Sequence, residues 1–379
     1  MPSQTSLTQT NNELLHTDDL LRQGLNHAHI ARAVTEQRLT RIRRGYYVDG
    51  TRWRAALPEE KHLFAIRAAA RATDALPTRS ATPSAQPALS LTPSPKFPPV
   101  FSHRSAATLH RWPVWAPWIA GFASNPLRTS VTVGASRRAS SSRVVKRFNA
   151  ELLDDETLQM TGRADEPRIL ATSPERTLSD LARSDAFGVA LVAADAHLRL
   201  VARVGRQTDP VALSGWRARM LAQAAVFESR PGSSAVRAMV QLADPRADSP
   251  LESISRMRFA QLGLDVDLQV PVKGPHGGTF FLDFYIPSLG LWGECDGRSK
   301  YTDARLRGGK SAEEIVYEEK RRADWITGKT GLRLIRWGVE EVRTLAAFTA
   351  YLRVLGVASP GNLARRPDPN VAATLTRVP

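Results

Sequence analysis

The clearest alternation of apolar and polar side chains lies between residues 279 and 295 and predicts two strands. Phe-Leu-Asp-Phe-Tyr-Ile surrounds residue 283, Leu-Trp-Gly-Glu-Cys-Asp surrounds residue 294, and Pro287-Ser288-Leu289-Gly290 separates them as a turn. With those four residues as the loop, Ile286 pairs with Leu291 and Asp283 stands opposite Glu294. Opposed residues share a sheet face with Cβ atoms about 4.5–5.5 Å apart. Flanking Phe280, Phe281, Phe284 and Trp292 make the sheet half-buried. Upstream, Ser249-Pro250-Leu251-Glu252 reads as a helix start with serine at N-cap and glutamate at N3, and Gly263 ends that helix.

Nearer the start, Thr17-Asp18-Asp19 opens a helix closed by Gly24, and Asn26 caps a second that runs to about Thr35. Leu39-Thr40-Arg41-Ile42, a turn at Arg43-Arg44-Gly45, and Tyr46-Tyr47-Val48 make a hairpin signal. Helix, turn, helix and a two-stranded wing together predict a winged-helix domain, in which His27, His29 and Arg32 face a groove. Arg41, Arg43 and Arg44 then reach phosphates; the competing reading is a winged helix that binds a protein instead. Residues 77–99 hold seven prolines among Ser, Thr and Ala, too little apolar material for a core. Ser173-Pro174 starts another helix, residues 186–240 read as amphipathic helices, and the last twenty or so residues read as a loose basic tail.

The charge distribution sharpens this picture. Net charge is +15, and residues 75–150 supply +10 of it, with ten basic residues and no acidic one. Arg137, Arg138, Arg143, Lys146 and Arg147 punctuate a serine-rich run there, which reads as a phosphate-tracking surface or as a basic loop. A single cysteine excludes an intrachain disulfide, and no apolar stretch reaches the ~20 residues of a membrane span. A soluble cytoplasmic protein with a nucleic-acid partner and no membrane contact is the expectation.

Two ionised carboxylates at ~5 Å repel by roughly 3 kcal/mol at an effective dielectric of 20. A fold tolerates that if one is protonated or a divalent cation lies between them. Oxygen-rich acidic sites suit Mg²⁺ or Mn²⁺, which activate water for phosphodiester hydrolysis. The pairing also predicts that neutralising either Asp283 or Glu294 raises stability in the absence of metal. Competing readings are a solvated edge-strand pair for Asp283 and Glu294, a plain helix cap for Glu252, a turn residue for Asp296 and a small core residue for Cys295.

Asp283 followed by Glu294-Cys295-Asp296-Gly297 resembles the core of the PD-(D/E)xK nuclease superfamily, in the branch similar to very-short-patch-repair endonucleases. The likeness runs from Ser249 to about Gly356, through Glu318-Glu319-Lys320-Arg321-Arg322-Ala323-Asp324-Trp325 and Leu332-Arg333-Leu334-Ile335-Arg336-Trp337. It implies a metal-dependent DNA endonuclease with Asp283 and Glu294 as ligands and Glu252 as auxiliary acid. Asp296 stands where the superfamily has lysine, so Lys300 or Lys320 is implied as the replacement charge. The stretch from about residue 15 to 185 is similar to AbiEi-type antitoxins, in the Arg-Arg-Gly-Tyr-Tyr-Val wing, in Phe101-Ser102-His103-Arg104-Ser105-Ala106-Ala107 and around Ser173-Pro174. That similarity implies DNA binding and a cognate toxin protein. It supports the alternative of a non-catalytic regulator that keeps a degenerate nuclease scaffold.

The expected fold is α/β and multidomain. A winged helix covers 1–55 and a helix 56–75, followed by a proline-rich insertion over 76–100. A helical and mixed middle region follows over 101–240, then a restriction-endonuclease-like α/β/α domain over 241–357 and a tail over 358–379.

Overall fold

Two short helices and a small sheet begin the chain in the computed structural model, which describes residues 13–74, 100–119, 125–134, 141–160, 168–228, 230–295, 311–357 and 369–379. Helix α1 (Thr17–Arg22) is capped by the His16 ring, which accepts from the Asp18 amide at 3.3 Å. The Asp19 carboxylate returns the contact by accepting from the His16 amide. Helix α2 (His27–Thr35) starts as predicted, with Asn26 Oδ1 accepting from the His29 amide at 2.9 Å. Strands β2 (Leu39–Arg43) and β3 (Tyr46–Asp49) form the expected hairpin through Gly45 at φ +81°. Strand β1 (Leu15–His16) adds to β3, giving the order β1-β3-β2. After α3 (Gly50–Ala55), α4 (Pro58–Asp74) lays Phe64 and Ala68 against Ile42, Tyr46 and Val48.

The same compact unit, residues 1–115 and 124–177, holds a five-stranded mixed sheet. Its elements are β4 (Val100–Phe101), α5 (His103–Leu109), β5 (Thr129–Val133), β6 (Val145–Asn149), β7 (Thr157–Gln159) and β8 (Leu170–Thr172), in the strand order β6-β5-β4-β8-β7. Phe101, Ala106, Val131 and Ile169 form its core with Ile66 of α4. Trp112 and Trp115 are buried in a corner, where the Trp115 indole N–H donates to Thr108 Oγ1 at 2.8 Å. The predicted insertion at 76–100 lies outside the described residues except for Val100.

Helix α6 (Pro174–Ser184) starts at the predicted Ser173-Pro174 step and runs into a second unit, residues 116–123 and 178–379. The predicted amphipathic helices are α7 (Phe187–Val201), α8 (Pro210–Val226) and α9 (Ser233–Leu242). A small hairpin, β9 (Arg203–Val204) and β10 (Gln207–Thr208), joins the first two. These helices belong to the compact unit of the C-terminal sheet.

That sheet follows α10 (Pro250–Gln261). It contains β11 (Asp267–Lys273), β12 (Thr279–Ile286), β13 (Leu291–Cys295) and β14 (Arg333–Trp337), in that spatial order. The first three run antiparallel, and β13–β14 is parallel, with α11 (Ala312–Thr330) in the crossover. Phe259 of α10 meets Phe284 and Trp337 at ring distances of 5.7 and 5.5 Å, while Ile326 of α11 clusters with Leu282 and Trp292. The two helices therefore cover opposite faces. Helices α12 (Val339–Val342) and α13 (Leu345–Val354) complete the first face through Phe348, 5.0 Å from Phe259.

The chain end differs from the predicted tail. Residues 369–375 form helix α14 (Pro369–Leu375) with Val371 and Leu375 buried. Gln261 Nε2 donates to the carbonyls of Leu375 and Val378 at 3.0 and 2.8 Å. Four prolines and three arginines punctuate the last 22 residues, but Val371 and Leu375 are four apart and make one apolar stripe.

Candidate functional site

Glu252 sits at the third position of α10, where Ser249 Oγ caps the helix by accepting from the Glu252 amide at 3.2 Å. Its carboxylate accepts from the Ser249 hydroxyl at 2.9 Å and from the Asp248 amide at 2.9 Å. The capping reading of Glu252 is therefore realised. A third contact exceeds what a cap needs: Gln269 Nε2 of β11 donates to Glu252 Oε2 at 3.1 Å. The same amide lies 3.4 Å from Asp283 Oδ1. Glu252 is only 5% exposed, and burial, followed by the charge of Asp283, pushes its carboxyl up to about 7.

The register of the hairpin is the predicted one, with Ile286 paired to Leu291, Tyr285 to Trp292 and Phe284 to Gly293. Its regular alternation breaks one step further on. Gln269 falls between Leu268, paired to Phe284, and Val270, paired to Leu282, and holds φ +52°, a left-handed backbone unusual for a residue with a side chain. Leu282 packs towards α11 and Phe284 towards α10, although residues two apart in a regular strand share a face. Asp283 lies at this break. Its Oδ2 accepts from the Cys295 amide at 2.8 Å, so a side chain takes a position that a backbone carbonyl fills in an unbroken ladder.

Glu294 is held elsewhere. Its carboxylate is bound by Arg322 of α11 and, at 3.0 Å, by Arg336, its register partner on β14. Glu319 bonds both arginines, at 3.2 and 2.6 Å, and Arg322 also donates to the Phe281 carbonyl at 3.1 Å. The structure thus joins Glu252 to Asp283 and ties Glu294 to two cations. Among the described residues no group of three His, Cys, Asp or Glu side chains is placed to hold one metal ion. Parity alone misses this, because it assumes unbroken alternation through Asp283. Arg336 was open to discovery as the strand partner of Glu294, whereas Gln269 carries no motif.

The remaining predicted residues divide as follows. Asp296, Lys300, Arg137 and Arg138 lie outside the described residues. Lys320 is exposed on α11, and it is Arg322 of the same helix that reaches the sheet. Cys295 is buried, its sulfur 3.3 Å from Ser255 Oγ, and burial above all raises its thiol well beyond the usual range. It is a core residue as expected. His27, His29 and Arg32 are exposed on or beside α2, as are Arg41 and Arg44 on the hairpin. Arg43 is half-buried, and burial, then the neighbouring charge of Arg147, lowers its pKa. That coupling brings the wing and the basic run around 143–147 into one electrostatic neighbourhood.

No protein-family model matches the chain, and no curated protein matches it closely enough to count as a relative. What the structure defines is a mixed α/β protein with several sheets, one of them a mixed five-stranded sheet. No helix among the described residues is long and apolar enough to cross a membrane.

Proposed function

We propose that the protein is a metal-dependent DNA endonuclease of restriction-endonuclease-like fold, with a winged-helix, antitoxin-like N-terminal region that docks on DNA. The observation that carries this reading is the meeting of Glu252 and Asp283 through Gln269, at a break in the hairpin that resembles the nuclease core. Both side chains offer hard oxygen ligands, which suit Mg²⁺ or Mn²⁺. The fit is to two carboxylates and not to the three that the resemblance implies, since Glu294 is engaged by Arg322 and Arg336. Such an ion supplies an activated water and neutralises charge on the phosphate.

The chain's own groups do the rest. Cys295 N–H and Gln269 fix the Asp283 carboxylate, and Gln269 holds Glu252 beside it. With its carboxyl pushed up to about 7, Glu252 carries an exchangeable proton near neutrality and gives it up when positive charge arrives. Arg41, Arg44 and the basic run near Arg143 supply sequence-independent contacts to the DNA backbone. The test is cleavage of plasmid DNA by the full chain in Mg²⁺ or Mn²⁺. Wild type nicks the DNA and Asp283→Asn and Glu252→Gln do not; equal products from all three would exclude this site.

The arginine clamp on Glu294 favours a second reading, a non-catalytic DNA-binding regulator with a toxin partner. On that reading wild type gives no metal-dependent product, while binding to DNA persists in chelator.

A further inference from the structure

A cleft of about 570 Å³ opens along β11, the edge strand of the four-stranded sheet, between that strand, the β9–β10 hairpin, α8 and the loop after α9. Arg206, Arg217 and Arg246 line it together with Gln269. Its acidic members are Asp244 and Asp267. Asp244 is taken up by Arg246, with contacts of 2.8 to 3.3 Å, and Asp267 adds to the field on the same guanidinium. Three arginines against two aspartates leave the lining at +1, and Arg206 and Arg217, both exposed, are the cations not hydrogen-bonded to Asp244.

Arg206 is already oriented. Its guanidinium lies 4.1 Å from the centre of the Phe281 ring, and its Nη1 donates to Gln269 Oε1 at 2.9 Å. This uses one of five N–H donors, and a planar fork held in place suits bidentate contact with a phosphate. Gln269 then connects the cleft to the acid pair. Its carbonyl oxygen takes Arg206 and its amide nitrogen reaches Glu252 at 3.1 Å and Asp283 at 3.4 Å. The cleft wall and the acid pair are one side chain apart. The left-handed backbone of Gln269 is what lets one residue of an edge strand face both.

We infer that this cleft binds the phosphodiester backbone of a nucleic-acid strand, with Arg206 and Arg217 as its phosphate ligands and Gln269 setting the strand's position relative to Glu252 and Asp283. The inference deepens the nuclease reading and rests on it for the role of the acid pair. Binding itself does not require a metal.

The experiment is fluorescence anisotropy of a labelled DNA duplex, and of a matching single strand, with the full chain in chelator at several salt concentrations. Arg206→Gln/Arg217→Gln is compared with wild type and with Arg353→Gln, an exposed residue on α13 away from the cleft. Loss of a phosphate contact lowers the slope of log affinity against log salt by about 0.9 on duplex DNA. The double variant is expected to lose about twice that and to bind several-fold more weakly at moderate salt, with unfolding unchanged. Arg353→Gln should match wild type. An unchanged slope and affinity, or wild type failing to bind, would overturn the inference. So would polyglutamate competing as well as DNA, because the cleft would then recognise acidic peptide. Cleavage that fails while the double variant still loses binding removes the nuclease reading alone; cleavage with an unchanged slope removes the cleft alone.

Discussion

At the scale of single residues, Glu252 and Gly293 each sit in a constrained place near the hairpin break. Glu252 is buried, beside Asp283, and its carboxyl is raised to about 7 from an unfolded value near 4.5. The folded state therefore binds more protons than the unfolded state between those two values, so stability falls as pH rises through that window. The full effect is on the order of 3 kcal/mol. Glu252→Gln removes the titration, and urea unfolding should find this variant gaining on wild type between pH 5 and pH 8. A stability difference that does not vary with pH would mean that Glu252 titrates as an exposed acid. Gly293 is constrained by space: a Cβ there would lie 2.4 Å from the Trp337 ring, which is wedged by Phe259 and Phe284. Gly293→Ala should destabilise by about 1–3 kcal/mol, the range for overpacked cores, measured as a lower urea midpoint with unchanged slope.

At the scale of elements, Glu294 acts as a tie between β13, β14 and α11. Its side chain is 10% exposed, against 22% for Arg322 and 32% for Arg336. Removing one partner of a fully buried pair costs about 3–5 kcal/mol, and the partial exposure of the arginines brings the expectation for Glu294→Gln to about 2 kcal/mol. This reverses the gain expected from sequence, where Glu294 was weighed against Asp283 alone. Thermal unfolding in chelator decides between the two signs. The hairpin, its four-residue turn and its register were legible because alternation and turn chemistry are local. The cap at Ser249 was legible for the same reason. The break at Asp283 was not, since it depends on one backbone angle at Gln269, on a strand that carries no motif. The C-terminal helix was hidden by composition, because two apolar residues four apart weigh little in a segment read as prolines and arginines.

For the whole molecule, sequence patterning anticipated an α/β chain, but the middle region read as helical and mixed holds a five-stranded sheet, made of strands of only two to five residues whose alternation is too brief to stand out. The helices after residue 178 carry the same amphipathic signal whichever unit they join, and only their packing assigns them. In the proposed function a divalent cation is held by Glu252 and Asp283, and Glu294 serves the scaffold. A cation bound only by the folded state stabilises it by about 2.7 kcal/mol at a hundredfold excess over Kd. The most direct measurement is the Mn²⁺-induced change in melting temperature of the full chain, for wild type, Asp283→Asn and Glu294→Gln, each referred to its own value in chelator. Wild type is expected to rise, Glu294→Gln to rise similarly from a lower starting point, and Asp283→Asn not to rise. No rise in wild type, or a response lost in Glu294→Gln and kept in Asp283→Asn, would contradict the proposed site.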